Sequence, residues 1–110
     1  MKKNYSYNWI LQKVYALIFL FLLIYTFISL TKIDIQNYSE VLGWFRNYVN
    51  SLIFFVLYTT IILHSNIGLS SIIDDYIHTG KNKKIILILK NLFLITIFSI
   101  SVVSLLLINR

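Results

Sequence analysis

The sequence predicts an all-α membrane protein with three transmembrane helices running up, down and up. Three observations predict it. The 110 residues are 58% hydrophobic and only 13% charged, with a mean hydropathy of +0.77. A soluble domain of this length buries too small a share of its chain to hide that much apolar surface, whereas a bilayer accepts it. The charge is also segregated: 14–31, 47–73 and 91–109 carry no charged side chain, and each run reaches the ~18 residues that mark a candidate span. Finally, the chain contains no Pro, which excludes Pro kinks and favours straight helices.

The length allows one domain, 1–110, read as a single transmembrane anchor domain. A short polar arm, 1–8, leads into a first helix over 9–30. Tyr5, Tyr7 and Trp9 sit where that helix enters, and amphipathic aromatics favour the headgroup layer. The connection 31–46 carries Lys32, Asp34, Glu40 and Arg46. Asn37 with Glu40 three residues later is the pattern of a capping box. A short amphipathic turn through Val41, Leu42 and Phe45 then lies in the interface, with Trp44 and Tyr48 as aromatic anchors. The second span runs over 48–74. Gly80 in the connection 74–84 reads as a helix stop, and the third span runs over 85–108.

The basic residues set an expected orientation. With three spans, the N-terminus and the second connection share a side holding Lys2, Lys3, Lys13, Lys81, Lys83, Lys84 and Lys90. The other side holds Lys32, Arg46 and Arg110. Seven against three puts the N-terminus on the cytoplasmic or matrix side. The first span is expected to be retained rather than cleaved. Its apolar run exceeds the ~7–15 residues of a signal core, and no small-x-small site follows.

Several function classes fall away. Without Cys there is no disulfide framework and no thiolate site or nucleophile. The formal charge of +6 does not point to nucleic acid, because the basic residues flank apolar spans instead of sharing one face. There is no Gly-rich phosphate loop, zinc motif or Ser/His/Asp set, so the chain has no catalytic machinery of its own.

The second span is the unusual segment, because it carries polar groups at depth. His64 lies ten residues before Asp74, inside an apolar run. An ionisable side chain in hydrocarbon is costly and should face a protein interior with a partner. At about 100° per residue, Thr60, His64, Gly68, Ser71 and Asp75 fall on one helical face, within about 40° of His64. This polar or small stripe suits a packed helix or a flat cofactor. One reading is haem ligation, since a neutral imidazole is a good axial ligand for iron. Gly68, one turn on, leaves room for a porphyrin edge, and Ser71 continues the face. A second ligand would then come from another subunit. The other reading is a structural His bonded to a neighbouring helix, with Gly68 as a packing notch.

Asp75 and Tyr76 end the second span, about 18 Å along the axis from His64. A Tyr hydroxyl can donate to a quinone carbonyl, and a carboxylate beside it can orient water or relay protons. An ordinary helix end in the interfacial belt accounts for the same residues. Lys13 can pair with a haem propionate or simply snorkel. Lys90 is expected to snorkel too. His78 reads as a solvated interfacial residue, the Lys81, Lys83 and Lys84 cluster as a topology signal with contact to anionic lipid, and Asn66 as bonding a neighbouring helix.

The pattern His64-x-x-x-Gly68 followed by Asp75-Tyr76 resembles the second helix of the small, D-type membrane-anchor subunit of succinate dehydrogenase, respiratory complex II. The stretch Trp9-Ile10-Leu11-Gln12-Lys13-Val14 is similar to that family's Trp-x-x-Gln-Arg segment at the start of its first helix. The resemblance implies that His64 is one axial ligand of a b-type haem, with the other on a second, C-type anchor subunit. It also implies that Tyr76, with Asp75 beside it, lines a ubiquinone site near the iron–sulfur subunit, and that this chain docks the flavoprotein and iron–sulfur subunits to a mitochondrial or bacterial inner membrane. The family often shows Arg where Lys13 stands, and an ammonium cannot make the fork contacts of a guanidinium. The competing expectation is a non-redox structural or accessory subunit of another membrane complex, without haem. Such a protein has no need to keep His64, Gly68, Asp75 and Tyr76 together.

Overall fold

The computed structural model describes residues 5–77 and 80–110. Its elements are α1 (Tyr5–Leu30), α2 (Tyr38–Arg46), α3 (Tyr48–Tyr76) and α4 (Lys81–Ile108). Three of these are long and apolar enough to cross a membrane. At 1.5 Å per residue each spans about 40 Å, against a hydrocarbon core of about 30 Å. The protein is therefore a multi-pass membrane protein with three candidate spans, as its composition predicts. His78 lies outside the described residues, as do Lys2 and Lys3.

Helix α3 is the central element, and both α1 and α4 pack along it. Among the described residues no large side chain is fully sealed. The buried positions, including Leu57, Tyr58, Thr60, Leu94 and Thr26, lie along the seams between helices. Elsewhere, large apolar side chains point outward; Phe27 is 70% exposed. Water tolerates such a surface poorly, whereas lipid or apolar protein is a good solvent for it.

The end carrying α2 is tied by side chains. Asn37 caps α2, accepting from the backbone N–H groups of Ser39 and Glu40, as the Asn37/Glu40 spacing predicts. Glu40 closes a different ring, accepting from the Asp34 N–H at 2.8 Å rather than from the cap residue. Asn47 then ends α2 and caps α3, accepting from Val49 and Asn50. Trp44, 6% exposed, donates its indole N–H to Ser29 Oγ at 2.7 Å. Buried Asn50 accepts from Tyr25 Oη at 2.9 Å and donates to the Trp44 carbonyl at 3.1 Å. Arg46 Nε donates to the Ile108 carbonyl at 3.1 Å, and Asn109 donates to Ser51 Oγ at 3.0 Å. All four helices are thus cross-bonded at one end. A run of edge-to-face rings, Trp44, Phe45, Phe54 and Tyr58, continues from there into the α3 seam.

The opposite end differs from expectation: α1 already runs at Tyr5, inside the expected polar arm, and α3 continues past 74 to Tyr76. Gly80 does not stop α3, whose C-cap is Ile77. It opens α4 instead, at φ 103, a conformation that costs Gly little and other residues much. Helix α4 therefore begins at Lys81, four residues before the expected 85, and takes the lysine cluster into its first turn. Cations there oppose the helix dipole. Lys83 offsets this by pairing with Asp74 of α3 at 2.9 Å.

Candidate functional site

The candidate site lies on the α1–α3 seam, in the half of the molecule away from α2. From α3, His64 turns its imidazole toward α1, and Nδ1 lies 2.9 Å from the main-chain oxygen of Gln12. A carbonyl oxygen has no proton to give, so Nδ1 carries the hydrogen and donates it. That tautomer leaves the lone pair on Nε2. The ring of Phe19 meets the imidazole edge-on, with centroids 5.3 Å apart. His64 is half-buried, and its Nε2 has no hydrogen-bond partner among the described residues. An imidazole oriented by a carbonyl at one nitrogen and open at the other is the donor arrangement expected of a metal-ligating His. Of the residues present, His64 is the one that would hold a haem iron, through Nε2.

Gln12 contacts the same face a second time. Its side-chain Nε2 sits 3.2 Å from the point a Cβ on Gly68 would occupy. The missing side chain at Gly68 thus admits the amide of α1. The predicted stripe on α3 grades from inside to outside. Thr60 is buried and bonds back to the carbonyls of Val56 and Leu57. His64 and Gly68 are half-buried, and Ser71 and Asp75 are exposed.

Beyond Gly68 the seam opens into a polar cleft of about 550 Å³, whose lining includes Trp9, Gln12, Asn66, Ser70, Ser71 and Asp74. Lys90 of α4 reaches its wall, with Nζ 2.7 Å from both Asn66 Oδ1 and Ser70 Oγ. Lys13 places its ammonium over the Trp9 ring, 5.8 Å from the centroid. Tyr76 is 82% exposed and Asp75 is exposed too. Neither lines this cleft; the carboxylate that does belongs to Asp74.

Residues 2–104 match the family of succinate dehydrogenase/fumarate reductase transmembrane subunits. The chain belongs to this family. No curated protein and no solved structure matches it.

As a succinate dehydrogenase/fumarate reductase transmembrane subunit, the chain is the membrane part of a larger complex. Its three spans and its open apolar faces agree with that place. Of the residues singled out by sequence, the structure brings His64 and Gly68 together on Gln12. It sets Ser71 on the cleft, Lys13 on Trp9, and Asp75 and Tyr76 on the exposed end of α3. The expectation that Asn66 bonds a neighbouring helix holds, with Lys90 as its partner. Lys90, expected to snorkel, places its ammonium on Asn66 and Ser70 of α3. Spacing alone did not single out Gln12 as the partner of His64, because the accepting atom is a backbone oxygen that every residue carries.

Proposed function

We propose that the chain is the small, D-type anchor subunit of a succinate:ubiquinone oxidoreductase in a mitochondrial or bacterial inner membrane, with its N-terminus on the cytoplasmic or matrix side. The observation that carries this reading is the His64 Nδ1–H bond to the Gln12 carbonyl, which leaves Nε2 as an electron-pair donor at the surface of the α1–α3 seam. In it, His64 would hold, through Nε2, the iron of a b-type haem shared with a second, C-type anchor subunit. Haem, when bound, supplies a one-electron carrier in the membrane. The Gln12 carbonyl fixes the imidazole tautomer and the orientation of the ring. Ser71 keeps the exposed part of that face small, while the space beside Gly68 is taken by the Gln12 amide. Lys13, released from Trp9, is the cation available to a haem propionate.

At the end of α3, Tyr76 donates its phenolic hydrogen to a carbonyl of ubiquinone, and Asp75 orients water for proton delivery as that carbonyl is reduced. Both side chains are exposed in the isolated chain, which suits residues that complete a site against another subunit. The flavoprotein and iron–sulfur subunits oxidise succinate and pass electrons to this membrane part. The cluster of α4 lysines contacts the anionic lipid surface.

Affinity purification of a tagged chain from its native membrane tests the reading. The flavoprotein, the iron–sulfur protein and a second anchor should co-purify, with succinate-dependent quinone reduction. Recovery of the chain without any of these would refute it.

A further inference from the structure

Lys90 is a cation on a membrane-spanning helix that neither the haem nor the Tyr76 end of α3 employs. Its ammonium only donates hydrogen bonds. Asn66 must therefore present its oxygen to Nζ, as it does at 2.7 Å, which turns the Nδ2 hydrogens the other way. Ser70 likewise accepts through Oγ at 2.7 Å, which leaves its hydroxyl proton to donate. Neither donor has a protein acceptor among the described residues. Both residues line the polar cleft. The ammonium thus fixes the hydrogen-bond polarity of this wall, which offers donors and calls for an acceptor.

The same cleft holds the Asp74 carboxylate, paired with Lys83, and the indole of Trp9, which suits a flat ring. Asn66 also walls an apolar groove of about 410 Å³ between α3 and α4, lined by Ile62, Leu63, Leu94, Ile95 and Phe98 among others. A neutral carbonyl-bearing ring with an apolar tail matches both cavities. We propose that Lys90 is a positioning residue that orients Asn66 and Ser70 as donors to a quinone carbonyl in this cleft, with the tail along the α3–α4 groove. The inference rests on the reading of the chain as a quinone-reducing anchor. It adds binding residues about one and a half turns (Ser70) and nearly three turns (Asn66) inside Tyr76.

The test uses the assembled complex and steady-state reduction of a short-chain ubiquinone, with succinate oxidation by an artificial dye as the control. Asn66→Asp keeps an acceptor for Lys90 but removes the Nδ2 donor. It should raise the quinone KM by roughly tenfold, with kcat changed less than about twofold, as for one lost hydrogen bond to the substrate. Ser70→Ala should raise KM by roughly threefold. Lys90→Met should raise KM, and Lys90→Arg, also a pure donor, should restore it. A purely structural Lys90 predicts that Asn66→Asp, which converts the contact to an ion pair, leaves KM alone. Wild-type KM in both Asn66→Asp and Ser70→Ala overturns the proposal. Displacement of a quinone-site inhibitor by phospholipid alone, with KM unmoved in these variants, would assign the cleft to a lipid carbonyl and also overturn it. Loss of dye-coupled succinate oxidation or of subunit co-purification in the wild-type preparation would refute the anchor reading itself.

Discussion

The Nδ1 atom of His64 lies 2.9 Å from the main-chain oxygen of Gln12, so one bond joins α3 to α1 and fixes which imidazole nitrogen is open. Gln12 also fills the space beside Gly68. The position of His64 therefore depends on how closely α1 and α3 approach.

Gly68 controls that approach. In Gly68→Ala the new methyl meets the end of a flexible side chain at 3.2 Å, which can shift by a few tenths of an ångström. The gain in helix propensity of about 1 kcal/mol offsets the contact. Thermal stability of the detergent-solubilised complex should change by no more than about 1 kcal/mol in either direction. Gly68→Leu has no such room. It should separate α1 from α3, break the His64–Gln12 bond and lower the haem-to-protein ratio.

Asn50 anchors the opposite end. Asn50→Leu removes the acceptor of the Tyr25 hydroxyl and one of the two donors to the Trp44 carbonyl, which keeps the Asn47 N–H, at a cost of about 1–3 kcal/mol. Tyr25→Phe removes one donor and should cost about 1 kcal/mol. Thermal unfolding of the solubilised complex measures both. Haem content should stay unchanged in the two variants, because the site lies at the other end of the bundle.

Tyr76 gives the opposite pattern. Its side chain is 82% exposed, so Tyr76→Phe should leave stability within about 0.5 kcal/mol of wild type. Quinone reduction should fall by roughly tenfold, while dye-coupled succinate oxidation is retained. Equal quinone kinetics would remove Tyr76 from the site.

Orientation can be read by labelling. The proposed orientation puts the N-terminus on the cytoplasmic or matrix side, so Ser6→Cys should react with an impermeant thiol reagent only after the membrane is opened to that side. Tyr38→Cys, exposed at the start of α2, should react from the opposite face.

The three spans were legible because lipid accepts long uncharged runs and nothing else in a chain this short explains them. Helix α2 was legible through Asn37 and Glu40, whose spacing encodes a cap. What sequence could not give was the partner of a polar group when that partner is a backbone atom, as for His64, or a side chain on a distant helix, as for Lys90. The contact of Lys90 with Asn66 and Ser70 depends on α3–α4 register, which no local pattern carries. The reading of Gly80 as a stop had the right residue and the wrong helix end, since a positive φ serves a turn whichever helix adjoins it. Asp74, Asp75 and Tyr76 are consecutive, and only the packed helix shows which carboxylate meets the cleft.

The reduced-minus-oxidised visible spectrum of complex carrying His64→Ala, beside wild type at equal subunit recovery, bears most directly on the role of this imidazole. Wild type should show a b-type haem band, and the variant should lose it or show it strongly weakened. A band of wild-type strength in His64→Ala would contradict the assignment of His64 as an iron ligand.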